Sequence, residues 1–158
     1  MNQIFKAALI VLFSASAASA MIVCEDGKVI SVEDGATFTI LTPNNRLYQV
    51  QLYAVEAPRR GQSFARESRD VLSRMILLKN VRVWVRDEFP GCRLVGHVSV
   101  DGVGLNKEMV ASGWAWYAFG DVAKNPENSS ILEAQQSAIR QNRGLWLAIS
   151  EKPSLPAK

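Results

Sequence analysis

The chain has 158 residues, about one domain's worth, and carries 18 Lys and Arg against 15 Asp and Glu, a net charge of +3. His97 is its only histidine, and Cys24 and Cys92 are its only cysteines. With no short-spaced cysteine pair, that inventory argues against a zinc site built from His and Cys. There is no internal repeat and no low-complexity tract.

Residues 1–20 read as a secretory signal peptide. Lys6 and the amino terminus make a short positive region, Ala7 to Phe13 an apolar run, and Ala18-Ser19-Ala20 a small-residue cleavage pattern. About 10 apolar residues are too few to span a bilayer. Bulky Ile22 and Val23 before Cys24 speak against lipid attachment. The expectation is an exported protein, periplasmic or secreted, that starts at Met21 and has no stable membrane insertion. One folded domain should occupy residues 21–149, followed by a loose tail at 150–158.

Losing Lys6 leaves a net charge of +2, unevenly spread. Met21 to Pro58 holds two basic and five acidic residues, a net −3, whereas Arg59 to Arg93 holds eight Arg and Lys79 against four acids, a net +5. A basic middle segment suits a polyanionic partner, although a helix and strand with ordinary solvated charges would give the same count.

In chain order, Cys24 to Val32 should form a strand bent at Asp26-Gly27, Thr37 to Leu41 a second and Leu47 to Tyr53 a third. A hairpin turn at Pro43-Asn44-Asn45 joins the last two. Ser63 offers an N-cap for a helix whose stripe is Phe64, Val71, Leu72, Met75 and Ile76, with Arg66, Arg69 and Arg74 off it. Val81, Val83 and Val85 alternate with Arg82, Trp84 and Arg86 in a half-buried strand. Phe89-Pro90-Gly91 breaks that strand, and Arg93 to Val100 returns beside it. A short helix, Leu105 to Ser112, stops at Gly113. Asn128 or Ser129 caps the last helix, with a face of Leu132, Gln135, Ala138 and Ile139. Gly144 ends this helix and Trp146 pins it to the sheet.

Asp34-Gly35-Ala36-Thr37, then Val50-Gln51-Leu52 leading to Val55-Glu56-Ala57-Pro58, resembles the staphylococcal nuclease (thermonuclease) family. Arg93-Leu94-Val95-Gly96, Val100-Asp101-Gly102 with Leu105-Asn106, Gly113-Trp114-Ala115-Trp116 and Gly144-Leu145-Trp146 follow in family order. The resemblance covers residues 28 to 148. It implies an α+β, mainly β, fold: a five-stranded OB-fold Greek-key barrel with three helices. It also implies metal-dependent phosphodiester cleavage. In the family, the second Asp of D-G-D-T and the Asp of the D-[TA]-P-E segment hold the cation. The Glu of that segment is the base, and two Arg steady the phosphate.

At those positions this chain carries Ala36, Glu56, Arg59, Gln51 and Arg93, with Cys92 in place of the usual glycine before Arg93. An Arg cannot take a proton near neutral pH. The family's five side chains sum to −1, awaiting a cation; these sum to +1, with Arg60 beside them. The leading expectation is therefore a catalytically impaired member that needs no cofactor. It would bind an anionic polymer, nucleic acid or acidic polysaccharide, through Gln51, Arg59, Arg60 and Arg93, with Phe119 near a bound base. Alternatively Arg59 pairs with Glu56 and the pocket has simply decayed. The rival is an active nuclease in which Asp34 and Glu56 hold Ca²⁺ or Mg²⁺ and Glu56 and Arg93 are the catalytic remnants. A third reading is an envelope scaffold. Trp114, Trp116, Phe64, Met75 and His97 read as structural. Two cysteines in an exported chain suggest a disulfide, yet the family's fold separates Cys24 from the pocket beside Cys92, so a bridge, two thiols and an intermolecular link all stay open.

Overall fold

The computed structural model describes residues 24–118 and 128–148. The expected signal peptide, Phe119 and the tail after 149 lie outside the described residues. Strands β1 (Cys24–Val32), β2 (Thr37–Leu41) and β3 (Leu47–Leu52) form a meander, followed by the two-residue β4 (Val55–Glu56) and helix α1 (Ala65–Ile76). The long strands β5 (Asn80–Phe89) and β6 (Arg93–Val100) come next, then β7 (Val103–Gly104), α2 (Leu105–Ala111) and β8 (Trp116–Tyr117). Helix α3 (Ser129–Arg140) and a 3-10 turn, Gly144–Ala148, complete the described chain.

The strand order β3-β2-β1-β5-β6 closes on itself through a parallel β3–β6 pairing that runs from Gln49↔Arg93 to Leu52↔Gly96. The result is the five-stranded mixed barrel with three helices that the resemblance implied. Closure follows from alternation. Val29, Phe38, Ile40, Val50, Val83 and Leu94 point inward and are at most 2% exposed, while their neighbours point out. At the β2–β3 turn Asn45 takes a left-handed φ of 58°, and the Arg46 N–H donates to Thr42 Oγ1 at 3.1 Å.

Asn106, 3% exposed at the start of α2, fastens this helix to the barrel. Its Oδ1 accepts the Val98 N–H at 2.8 Å, and its Nδ2 donates to the carbonyls of Tyr53 at 2.9 Å and Gly96 at 3.2 Å. The Gly96 carbonyl also accepts the Tyr53 N–H at 2.8 Å, so this one buried side chain ties α2 to both β6 and the chain just after β3.

Several local expectations are corrected. Ser63 does not cap α1: Phe64 is the N-cap, left-handed at φ 63°, and no side chain caps the helix. The buried stripe is Ser68, Val71, Leu72 and Ile76, with Phe64 and Met75 only half-buried. Strand β3 ends at Leu52 because Ala54 turns left-handed (φ 59°), which gives Val55–Glu56 its own short pairing with Trp116–Tyr117. Helix α3 buries Ile131, Ala134 and Ala138 against α2, leaves Ile139 36% exposed, and is not capped by a side chain. Gln135 instead accepts the Tyr117 N–H at 2.7 Å. Leu145, 1% exposed, is the buried anchor of the last turn, and Trp146 is half-buried. Cys24 and Cys92 are exposed free thiols. Among the described residues no helix is long and apolar enough to cross a membrane.

Candidate functional site

A cavity of about 330 Å³ opens on the outer face of β3, β5 and β6. Gln51, Arg93, Asp87, Phe89, Glu56 and Thr37 line it. Gln51 and Arg93 arrive by simple alternation, each facing away from the barrel interior on its own strand. Arg93 follows a tight turn in which Gly91 (φ 84°) and Cys92 (φ 56°) are both left-handed, and the Gln49 N–H donates to the Cys92 carbonyl at 2.9 Å. Its guanidinium lies 5.6 Å from the Phe89 ring centre and joins none of the ion pairs among the described residues.

Asp87 gets there by a different route. Along β5, Val81 and Val83 are buried and Val85 half-buried, so strict alternation would turn Asp87 inward too. The ladder with β6 slips instead: Val85 faces Gly96 and Asp87 faces Val95, leaving Arg86 as an extra residue. Beyond this bulge Asp87 and Phe89 share the outer face with Val95 and Arg93. The extra residue is itself held, with the Arg86 guanidinium 4.7 Å over the Tyr53 ring, and Tyr53 meets His97 edge-on at 5.1 Å. Asp87 escaped the sequence reading; its signal was a carboxylate at the next inward position of a valine strand.

Glu56 alternates outward from buried Val55 in the β4–β8 pair and is half-buried. It also borders a second pocket of about 300 Å³, with Arg59, Gln62 and Trp116. Arg59 is exposed, and its N–H donates to Gln62 Oε1 at 2.6 Å. Arg60 is exposed and lines neither pocket. The cavity is therefore lined by Arg93 together with two carboxylates, Glu56 and Asp87, and neither Arg59 nor Arg60 lines it.

The β1–β2 loop sets the remaining position. Ala36 is 4% exposed and offers no oxygen on its side chain, and its N–H is received by Asp34 Oδ1 at 2.8 Å. Gly35 is packed so tightly that a Cβ there would overlap Ser68 Oγ and come within 2.9 Å of the Ala57 Cβ. Asp34 does not line the cavity; one oxygen of its carboxylate closes its own turn. Of the two cation-holding positions implied by the family motif, only Glu56 carries a carboxylate. Among the described residues no three His, Cys, Asp or Glu side chains gather to hold a metal. The residues do not fit the family's metal set.

A family model described as staphylococcal nuclease homologue matches residues 49–148. The chain is similar to an "Uncharacterized endonuclease" of Haemophilus influenzae, 33% identical over 119 residues that cover 75% of this chain and 65% of that protein. An "Uncharacterized endonuclease" of Escherichia coli is 30% identical over 131 residues, 79% of this chain and 80% of its own length. "Probable staphylococcal-like nuclease CAN3" of Oryza sativa subsp. japonica is 30% identical over 127 residues, 80% of this chain but 31% of that protein. The chain thus spans just under two thirds of the Haemophilus relative and about a third of the rice one.

Proposed function

This chain belongs to the staphylococcal nuclease family, and from that premise we propose that it is an exported nucleic-acid-binding member whose phosphodiester hydrolysis is impaired. The observation that carries the proposal is the replacement of the metal-holding Asp by buried Ala36, in a loop whose Asp34 is turned onto its own backbone. A second loss is chemical: the position of the family's general base is Arg59. Base catalysis is commonly worth about 10²–10⁴-fold. Binding groups remain. Arg93 can meet a phosphate with two parallel hydrogen bonds, Gln51 and Thr37 add donors, and the half-exposed Phe89 ring offers a face to a base. The names of the relatives, nuclease and endonuclease, favour nucleic acid over an acidic polysaccharide. Export rests on the pattern of residues 1–20.

One observation favours a second reading, a divalent-cation-dependent nuclease with a rearranged carboxylate set: Asp87 joins Glu56 in the same cavity. Cleavage separates the two. Purified mature protein is incubated with labelled single-stranded DNA and RNA in Ca²⁺, Mg²⁺ or chelator. The impaired-binder reading expects intact strands in every lane. Metal-dependent products that vanish in both Glu56→Gln and Asp87→Asn would establish the nuclease in its place.

A further inference from the structure

A second concavity lies at the other end of the barrel from the Arg93 cavity. A groove of about 720 Å³ runs over the outer face of β1, β5 and β6, within the size range of small-molecule sites. Its floor is a cross-strand row, Asp26↔Arg82↔Ser99, flanked on one side by Lys28↔Asn80 and on the other by Trp84. Leu41, Thr42 and Asn45 of the β2–β3 turn make one wall, and Asp101 and Gly102 after β6 make the other.

Ion pairs take up three of the four charged residues of this groove, Asp26, Arg82 and Asp101, and Lys28 joins none of the ion pairs among the described residues. Arg82 grips Asp26 with two hydrogen bonds, Nε to Oδ1 at 2.8 Å and a terminal nitrogen to Oδ2 at 2.9 Å. Those bonds hold the Asp26 carboxyl below its ordinary range, so it stays ionised near neutral pH. Asp101 takes Lys79 Nζ at 3.1 Å. The four charged residues of the lining sum to zero, with Lys79 engaged at the edge by Asp101, so no cluster of cations marks the groove for a polyanion. What the groove offers is planar arrays of donors and acceptors from a clasped Asp–Arg pair and two Asn, with the Ser99 hydroxyl, beside an indole that is 36% exposed.

Neighbouring hydroxyls that each donate and accept, on a ring with one apolar face, complement such a lining. We propose that this groove binds a neutral oligosaccharide, with a pyranose face against Trp84 and its hydroxyls on the Asp26–Arg82 pair. The site is separate from the cavity around Arg93, and its occupancy is independent of any nuclease chemistry there.

The test follows the indole N–H of Trp84 by nitrogen-15 NMR in the full mature chain, assigned by its loss in Trp84→Phe. The probes are maltotetraose, chitotetraose and a ten-residue oligothymidylate. The expected result is saturable movement of the Trp84 signal with at least one saccharide. Arg82→Gln should weaken that binding about tenfold by this signal, and Trp84→Ala about tenfold by titration calorimetry, while Arg93→Ala should leave it unchanged. If neither saccharide moves the signal up to about 10 mM, a concentration that would populate even weak sites, the proposal fails. It fails equally if the oligothymidylate moves Trp84 and the saccharides do not, because the groove would then be an extension of a nucleic-acid path.

Discussion

Asp87 and Arg93 stand on one face of the β5–β6 ladder, Asp87 opposite Val95 and Arg93 opposite Phe89, because Arg86 adds a residue to one strand only. The bulge spares the core an unpaired carboxylate, which would be costly to bury. It also places negative charge beside the cation best placed to receive a phosphate. Under the proposed function, affinity for a strand would reflect a contest between Arg93 and the two carboxylates that share its cavity, Glu56 and Asp87.

Asp87→Asn settles the sign of that contest. If the cavity receives phosphate directly, removing the charge strengthens oligonucleotide binding in chelator, by about three- to tenfold at low salt. Fluorescence anisotropy across a titration measures it. Weaker binding, or an effect seen only with divalent cation present, would mean that Asp87 serves a metal.

The β1–β2 loop is sensitive to volume. Gly35→Ala drives a methyl into Ser68 Oγ and toward Ala57, so urea unfolding should show a loss of about 1–3 kcal/mol. Ser68→Ala on that background should restore only part of it, since the Ala57 contact persists and the Ser68 hydrogen bond to the Trp114 carbonyl is lost.

Asn106→Ala tests the fastening of α2. The change removes the acceptor of the buried Val98 N–H and the donor to the Tyr53 and Gly96 carbonyls, at roughly 1–3 kcal/mol for a buried group left unsatisfied. The expected outcome is a marked drop in urea midpoint with the m-value unchanged.

Acid stability carries the mark of Asp26. Its folded-state pKa is lowered, chiefly by the hydrogen bond from Arg82. The pair therefore contributes stability above the unfolded Asp value of about 3.9 and loses it as pH falls through the lower folded value. Asp26→Asn should be less stable than the parent at pH 7, and the gap should close as pH falls through the lowered folded value. The difference will be small, because both side chains are half exposed, 56% and 53%.

Much of the barrel was legible in the sequence. The bounds of β1 and β2 follow from alternation ended by Asp34-Gly35 and Pro43-Asn44-Asn45, and the observed strands keep those bounds. What escaped depended on contacts between distant segments. Helix α3 has apolar residues on two faces, and packing against α2 selects Ile131, Ala134 and Ala138 rather than the stripe through Leu132 and Ile139. Ser63 has the chemistry of a cap, but the chain turns left-handed one residue later, at Phe64. At the site, the motif identified Gln51, Glu56 and Arg93, and the structure brings these three into one cavity. Arg59 and Arg60 are adjacent in sequence to that motif, yet both are exposed in the loop after Pro58 and neither lines that cavity. Asp87 required the slip at Arg86, a property of two strands together that no single-strand periodicity reveals.

The central claim is that this pocket holds nucleic acid through Arg93 without a metal. Anisotropy of a labelled single-stranded 20-mer in chelator, over a salt series, tests it most directly. The account predicts saturable binding that weakens with salt. Arg93→Ala should reduce the slope of log K against log salt by about 0.7, one phosphate contact on a single strand. No binding in chelator, with binding and strand scission both appearing on addition of Ca²⁺, would contradict it.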